Sequence, residues 1–95
     1  MKNTLYLLFL FSFIYSLNLI PNVVDTYYNS SIKEIHYYQN INNKLNLVKI
    51  QEYYEDGQKA IEANYKDGQK DGRYIEYYED GQKSLHGAYE NGMKD

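Results

Sequence analysis

The chain has no cysteine, no tryptophan and a single proline, Pro21. Without cysteine there can be no disulfides, no thiolate metal centre and no thioether-linked lipid at the N-terminus. Missing tryptophan removes the best ring for an aromatic cation cage. A run of positive charge is missing too: net charge is -3, with Lys and Arg interspersed among Asp and Glu. No basic stripe exists to meet phosphates, which excludes nucleic acid as the expected partner. At 95 residues there is room for one small domain. Domains of this kind bury only about 60% of their unfolded surface, so stability must come from strand pairing, aromatic packing and self-association. Catalytic groupings are equally scarce. His36 and His86 stand alone in the sequence, the serines lack a neighbouring base, and the glycines are spread out instead of forming a phosphate loop. The expectation is a protein that is not an enzyme and carries no cofactor. Calcium at the Glu55-Asp56 and Glu79-Asp80 turns is a minor option, since the spacing matches no known calcium loop.

What the chain does have is tyrosine, 13 residues of it, eleven lying after residue 26. Tyrosine joins apolar area to a polar tip and suits a half-wet sheet face. It recurs in a pattern. Glu52-Tyr53-Tyr54-Glu55-Asp56-Gly57-Gln58-Lys59 returns unchanged as Glu76-Tyr77-Tyr78-Glu79-Asp80-Gly81-Gln82-Lys83, an offset of 24 residues that also maps Tyr65 to Tyr89 and Gly68 to Gly92. A fixed period of about 20–50 residues marks a repeat architecture. Asp-Gly or Asn-Gly between β-prone residues is a strong hairpin signal. Asp56-Gly57, Asp67-Gly68, Asp80-Gly81 and Asn91-Gly92 are therefore assigned as structural turns. Gly72 follows Gly68 too closely for another turn and reads as a bulge or close-approach position inside a strand. The fold class expected is all-β, an antiparallel meander of repeated hairpins forming one extended twisted sheet.

Turn type then sets the register. A two-residue loop at Asp80-Gly81 would place Glu76 opposite Leu85. A three-residue loop, Glu79-Asp80-Gly81, puts Gly81 in the left-handed position and Ile75 opposite Leu85. The second is preferred because it gathers apolar residues, and a one-residue slip sends every side chain across the sheet. It predicts a binding face of Tyr53, Tyr65, Ile75, Tyr77, Leu85 and Tyr89, with Glu76, Ser84 and His86 on the other side. A two-residue loop at Asp67-Gly68 would pair Glu62 with Arg73 and Lys59 with Glu76.

Residues 1–22 read as a signal peptide or uncleaved anchor. Met1-Lys2-Asn3 supplies a positive start, Leu5 to Phe13 is almost unbroken apolar sequence, and Pro21 stops any helix. Leu5 to Ile20 is 16 residues, short of the ~20 that a spanning helix usually needs. Export is expected, with membrane attachment only if this segment stays uncleaved. Residues 23–51 read as a degenerate first repeat that caps the array. There Asp25-Thr26-Tyr27-Tyr28-Asn29-Ser30 is a worn tyrosine-pair unit aligning Tyr28 with Tyr54, Tyr37-Tyr38-Gln39-Asn40 stands for Tyr65-Lys66-Asp67-Gly68, and Ile41-Asn42-Asn43-Lys44 is an extra loop before a long strand over residues 45–54. The rival is a short helix over residues 30–38. Residues 52–95 hold two hairpin repeats, the second truncated.

The segment from Tyr65 to Gly81, with its Tyr-x-x-Gly, a Gly four residues on, an aromatic and then Tyr-Tyr-x-x-Gly, resembles the MORN-repeat variant family. The resemblance covers residues 52–95 well and 25–51 loosely. Such repeats usually carry Trp where this chain has Tyr74. The resemblance implies a repeat protein, and bacterial members are often assigned as antitoxins of toxin–antitoxin systems. Three functional expectations follow. One is an exported module that binds a protein partner, or itself, through a Tyr-rich sheet face and an open edge. A second is an antitoxin- or immunity-type protein neutralising a toxin by contact. The third is a cell-wall or glycan-binding aromatic repeat.

Overall fold

A computed structural model describes residues 18–94. The segment expected to be a signal or anchor lies largely outside these residues. Seven strands follow one another: β1 (Ile20–Thr26), β2 (Ile32–Ile41), β3 (Lys44–Tyr53), β4 (Lys59–Lys66), β5 (Gln69–Tyr77), β6 (Lys83–Glu90) and β7 (Met93–Lys94). They form one antiparallel sheet in sequence order, the meander that the hairpin signals predict. The helix considered over residues 30–38 is instead β2, whose run of Ile32, Ile35, Tyr37 and Tyr38 is β-prone.

Two kinds of turn alternate. At one end of the sheet, three-residue loops close the β1–β2, β3–β4 and β5–β6 hairpins. In each, a tyrosine N–H donates to a carbonyl across the loop: Tyr27 to Ser31 (2.8 Å), Tyr54 to Gln58 (2.8 Å) and Tyr78 to Gln82 (2.7 Å). The third loop residue takes a positive φ, 73° at Ser30, 93° at Gly57 and 92° at Gly81. At the other end, two-residue turns carry positive φ at both positions: Asn42 and Asn43, Asp67 and Gly68, Asn91 and Gly92. That pair of dihedrals matches the twist of the flanking strands and favours Asn, Asp and Gly. All four predicted turns are present. Gly72, at φ 89°, lies in the irregular stretch of β5 between Lys70 and Tyr74, the in-strand position expected for it.

The first repeat needs a different alignment from the one its sequence suggests. The loop geometry equates Tyr27, not Tyr28, with Tyr54 and Tyr78. Asn42-Asn43 is the counterpart of Asp67-Gly68 and is a tight turn, while Tyr37 to Asn40 continue β2.

Register departs from expectation for one repeated reason. After each three-residue loop the returning strand bulges by one residue, at Lys33, Ala60 and Ser84. The three-residue loop at Glu79-Asp80-Gly81 is thus present, yet the bulge undoes the register it was expected to set. Leu85 stands opposite Glu76, and Ile75 opposite His86. A two-residue turn at Asp67-Gly68 is likewise present, but the irregularity around Gly72 puts Glu62 opposite Ile75 and Ile61 opposite Glu76, not Glu62 opposite Arg73.

Directly opposed residues share a face, so the pairings define two rows. Val23, Ile35, Gln51, Glu62, Ile75 and His86 run across one face, and Asn22, His36, Ile50, Ala63, Tyr74 and Gly87 across the other. Burial is concentrated in the middle strands, at Ile35, Gln51 and Ile75 on the first face and Ala63 on the second. Among the described residues no second layer covers either face. Stability rests on ladder hydrogen bonds and on cross-strand pairs of about 0.2–1 kcal/mol each.

Candidate functional site

The tyrosine pairs divide their work between the sheet and the repeat junctions. The tyrosine that opens each three-residue loop is the second of its pair at Tyr54 and Tyr78 but the first at Tyr27, and Tyr27 and Tyr54 reach over to the next repeat. Tyr27 Oη donates to the carbonyl of Tyr53 (2.8 Å), and Tyr54 Oη to the carbonyl of Tyr77 (2.6 Å). Each acceptor is the first tyrosine of the next pair. The Tyr-Tyr motif is therefore one acceptor and one donor, a ladder that ties loop to loop. Tyr78 is the next donor in the series. Among the described residues its hydroxyl has no acceptor, and it is 57% exposed.

Each face has its own cluster. On the first, Tyr53 Oη donates to Gln51 Oε1 (2.8 Å) and Gln51 Nε2 to Glu62 Oε1 (2.6 Å), with Lys59 Nζ at 3.4 Å and Lys49 Nζ at 3.9 Å from the same oxygen. Burial alone would raise the Glu62 pKa; the Gln51 bond and the two ammonium groups outweigh it and hold the carboxyl below its ordinary range. On the second face, the Tyr74 and Tyr89 rings meet edge to face at 5.5 Å. Lys70 Nζ lies 4.5 Å from the Tyr74 ring centre and 5.1 Å from that of Tyr89. The Tyr74 phenol is pushed up to about 12, first by desolvation, then by its hydrogen bond to Glu76 and that carboxylate's charge. His36, expected to stand alone, lies 2.5 Å from Glu34 Oε2 and is half-buried.

The residues predicted as one binding face are split by the bulges. Tyr53, Ile75 and Tyr77 lie on the first face, while Tyr65, Leu85 and Tyr89 lie on the second. The turn carboxylates are engaged locally, since Asp56 Oδ1 accepts from Gln58 N–H and Asp80 Oδ1 from Gln82 N–H, both at 2.9 Å. Tyr54, Glu55, Asp56 and Glu79 line a groove of about 260 Å³ between successive loops. Among the described residues no three His, Asp or Glu side chains are grouped to hold a metal ion.

The two edges of the sheet differ. β1 is blunted in the ways that natural edge strands are. Pro21 brings no N–H, the register slips on both sides of Asp25, and the Asp25 carboxylate sits 3.9 Å from Lys33. β6 has a bulge at Ser84 and a lysine at its start, Lys83, but no proline. β7 pairs only with Tyr89 and Glu90, so among the described residues Lys83 to Ala88 have no strand on their outer side. Leu85 is 40% exposed there, and His86 is exposed.

No protein-family model, curated protein or solved structure matches this chain.

Proposed function

We propose that this chain is an exported, non-enzymatic protein-interaction module that binds through its tyrosine-bearing sheet faces. The observation that carries the reading is that, among the described residues, no second layer covers either face, while each presents an ordered cluster, Tyr53–Gln51–Glu62 on one and Lys70–Tyr74–Tyr89 on the other. Tyrosine, with an apolar ring and a polar tip, is enriched at protein interfaces. Export rests on the charged start and apolar run of residues 1–22.

Site-specific photo-crosslinking in the producing cells tests the reading. A benzophenone side chain at His86, exposed on the first face, should capture a discrete protein that the same group at the loop residue Asp56 does not. Equal capture from both positions, or none from His86, contradicts it.

A further inference from the structure

Lysine and arginine are interspersed with acids along the sequence, but the two-residue period of the strands sorts them by face. Pairing puts Lys44, Lys49, Lys59, Lys66, Arg73 and Lys83 on the first face, with Glu62 and Glu90 as the acids beside them. On the second face the balance inverts: Asp25, Glu34, Glu52 and Glu76 stand against Lys70 and Lys94. Lys33 lies at a bulge and Asp71 in the irregular stretch of β5. Counting Lys33 on the second face and Asp71 on the first leaves both signs unchanged. One face is cationic and the other anionic.

Most of these charges have no partner within the sheet. Lys44, Lys66, Arg73 and Lys83 are exposed, and among the described residues no carboxylate lies within ion-pair distance of any of them. Glu34, Glu52 and Glu76 likewise have no lysine or arginine partner there. Glu34 also stands directly opposite Glu52. Like charges so opposed are destabilising, and a cation laid over them relieves the cost. Each face exposes aliphatic side chains as well, Ile32 and Ile41 on the first, Leu45 and Leu85 on the second.

Resting on the reading of the sheet faces as binding surfaces, we infer that the partner is a second copy of this chain, whose anionic second face lies on the cationic first face of its neighbour. The chain carries both complements itself. Two first faces would oppose their unpaired cations, and two second faces their carboxylates, so only unlike faces match in charge. Sheets packed face to face interdigitate their side chains about 10 Å apart, which takes the exposed aliphatics out of water. The two longer extents, 47 and 32 Å, leave room for a standard interface of about 800 Å² per partner. Pairing of unlike faces is heterologous: each added copy leaves one face of each sign free, and the assembly grows past a dimer.

The test is sedimentation velocity of the full-length chain across a concentration series at low and high salt. Association that grows past a dimer and weakens as salt rises is expected, because salt screens exposed charges beyond about 10 Å at 0.1 M. Two variants sharpen the test. One reverses the first face with Lys44→Glu, Lys66→Glu, Arg73→Glu and Lys83→Glu; the other reverses the second with Glu52→Lys and Glu76→Lys. Each alone should associate about tenfold more weakly than the unmodified chain, or worse. An equimolar mixture should recover the association, since each variant then offers the face that the other lacks. Circular dichroism checks that each variant keeps the sheet; where one does not, the concentration and salt series on the unmodified chain decides. A monomer at every concentration, a dimer that grows no further, or a mixture of folded variants that fails to associate overturns the inference. So does association indifferent to salt and to both reversals, which the apolar run of residues 1–22 would give. If the chain stays monomeric while His86 captures a different protein, the inference falls and the reading of the faces stands. If it stays monomeric and His86 captures nothing, both fall.

Discussion

Individual residues in this sheet act through backbone conformation and through a few local charge networks. Gly81, at φ 92°, holds a conformation that costs an L-residue about 1–2 kcal/mol and a β-branched one more. Gly81→Val should lower the unfolding midpoint markedly, read by circular dichroism; an unchanged midpoint would show that the loop tolerates another conformation. Ser30, at φ 73°, carries the same strain in the first repeat without glycine's freedom, which is one reason its loop was misaligned in the sequence. Glu62 gives a pH dependence. Its carboxyl titrates lower in the folded chain than in the unfolded one, so the unfolded state binds the proton more readily. Its contribution is complete above the unfolded value, pH ~4.3. It is lost as pH falls through the lower folded value. Wild-type stability should therefore drop through this acid window more steeply than that of Glu62→Gln. Parallel pH profiles for the two proteins would remove Glu62 as the source.

At the scale of strands and loops, the ladder of tyrosine hydroxyls makes the repeats interdependent. Tyr54 Oη is bonded to the Tyr77 carbonyl at 2.6 Å, whereas Tyr78 Oη has no acceptor among the described residues. Tyr54→Phe should cost about 0.5–1.5 kcal/mol, while Tyr78→Phe should leave chemical denaturation nearly unchanged. Equal losses would mean that Tyr78 has an intramolecular partner. This scale also shows what the sequence could and could not convey. Turn positions were legible because Asp-Gly and Asn-Gly have their own chemistry. The doubled octet exposed the hairpin period, and Gly72 was placed correctly by its spacing from Gly68. The bulges were not legible. Lys33, Ala60 and Ser84 share no chemistry, and the bulge is set by how a strand leaves its loop. One unseen residue per hairpin was enough to divide the predicted face of Tyr53, Ile75 and Tyr77 from Tyr65, Leu85 and Tyr89. The ladder did have a signal in the two full repeats, the Tyr53-Tyr54 and Tyr77-Tyr78 pairs. Adjacent strand residues point to opposite faces, so two adjacent tyrosines could not both serve one face.

At the largest scale, one seven-stranded sheet of principal extents 47 × 32 × 26 Å leaves most of the described side chains in contact with water and buries only its middle strands. Each repeat is stabilised chiefly by the strand laid beside it, the nearest-neighbour logic of repeat proteins. Among the described residues the consequence is unequal strands: β4 is paired along both sides, and β6 is paired in full with β5 alone. Residue-resolved amide hydrogen exchange on the full-length chain tests this claim most directly. β4 amides should be protected throughout, whereas along Lys83–Ala88 protected amides directed at β5 should alternate with amides exchanging at near-free rates. Uniform protection of Lys83–Ala88 at the level of β4 would show the outer edge already covered and would contradict the account.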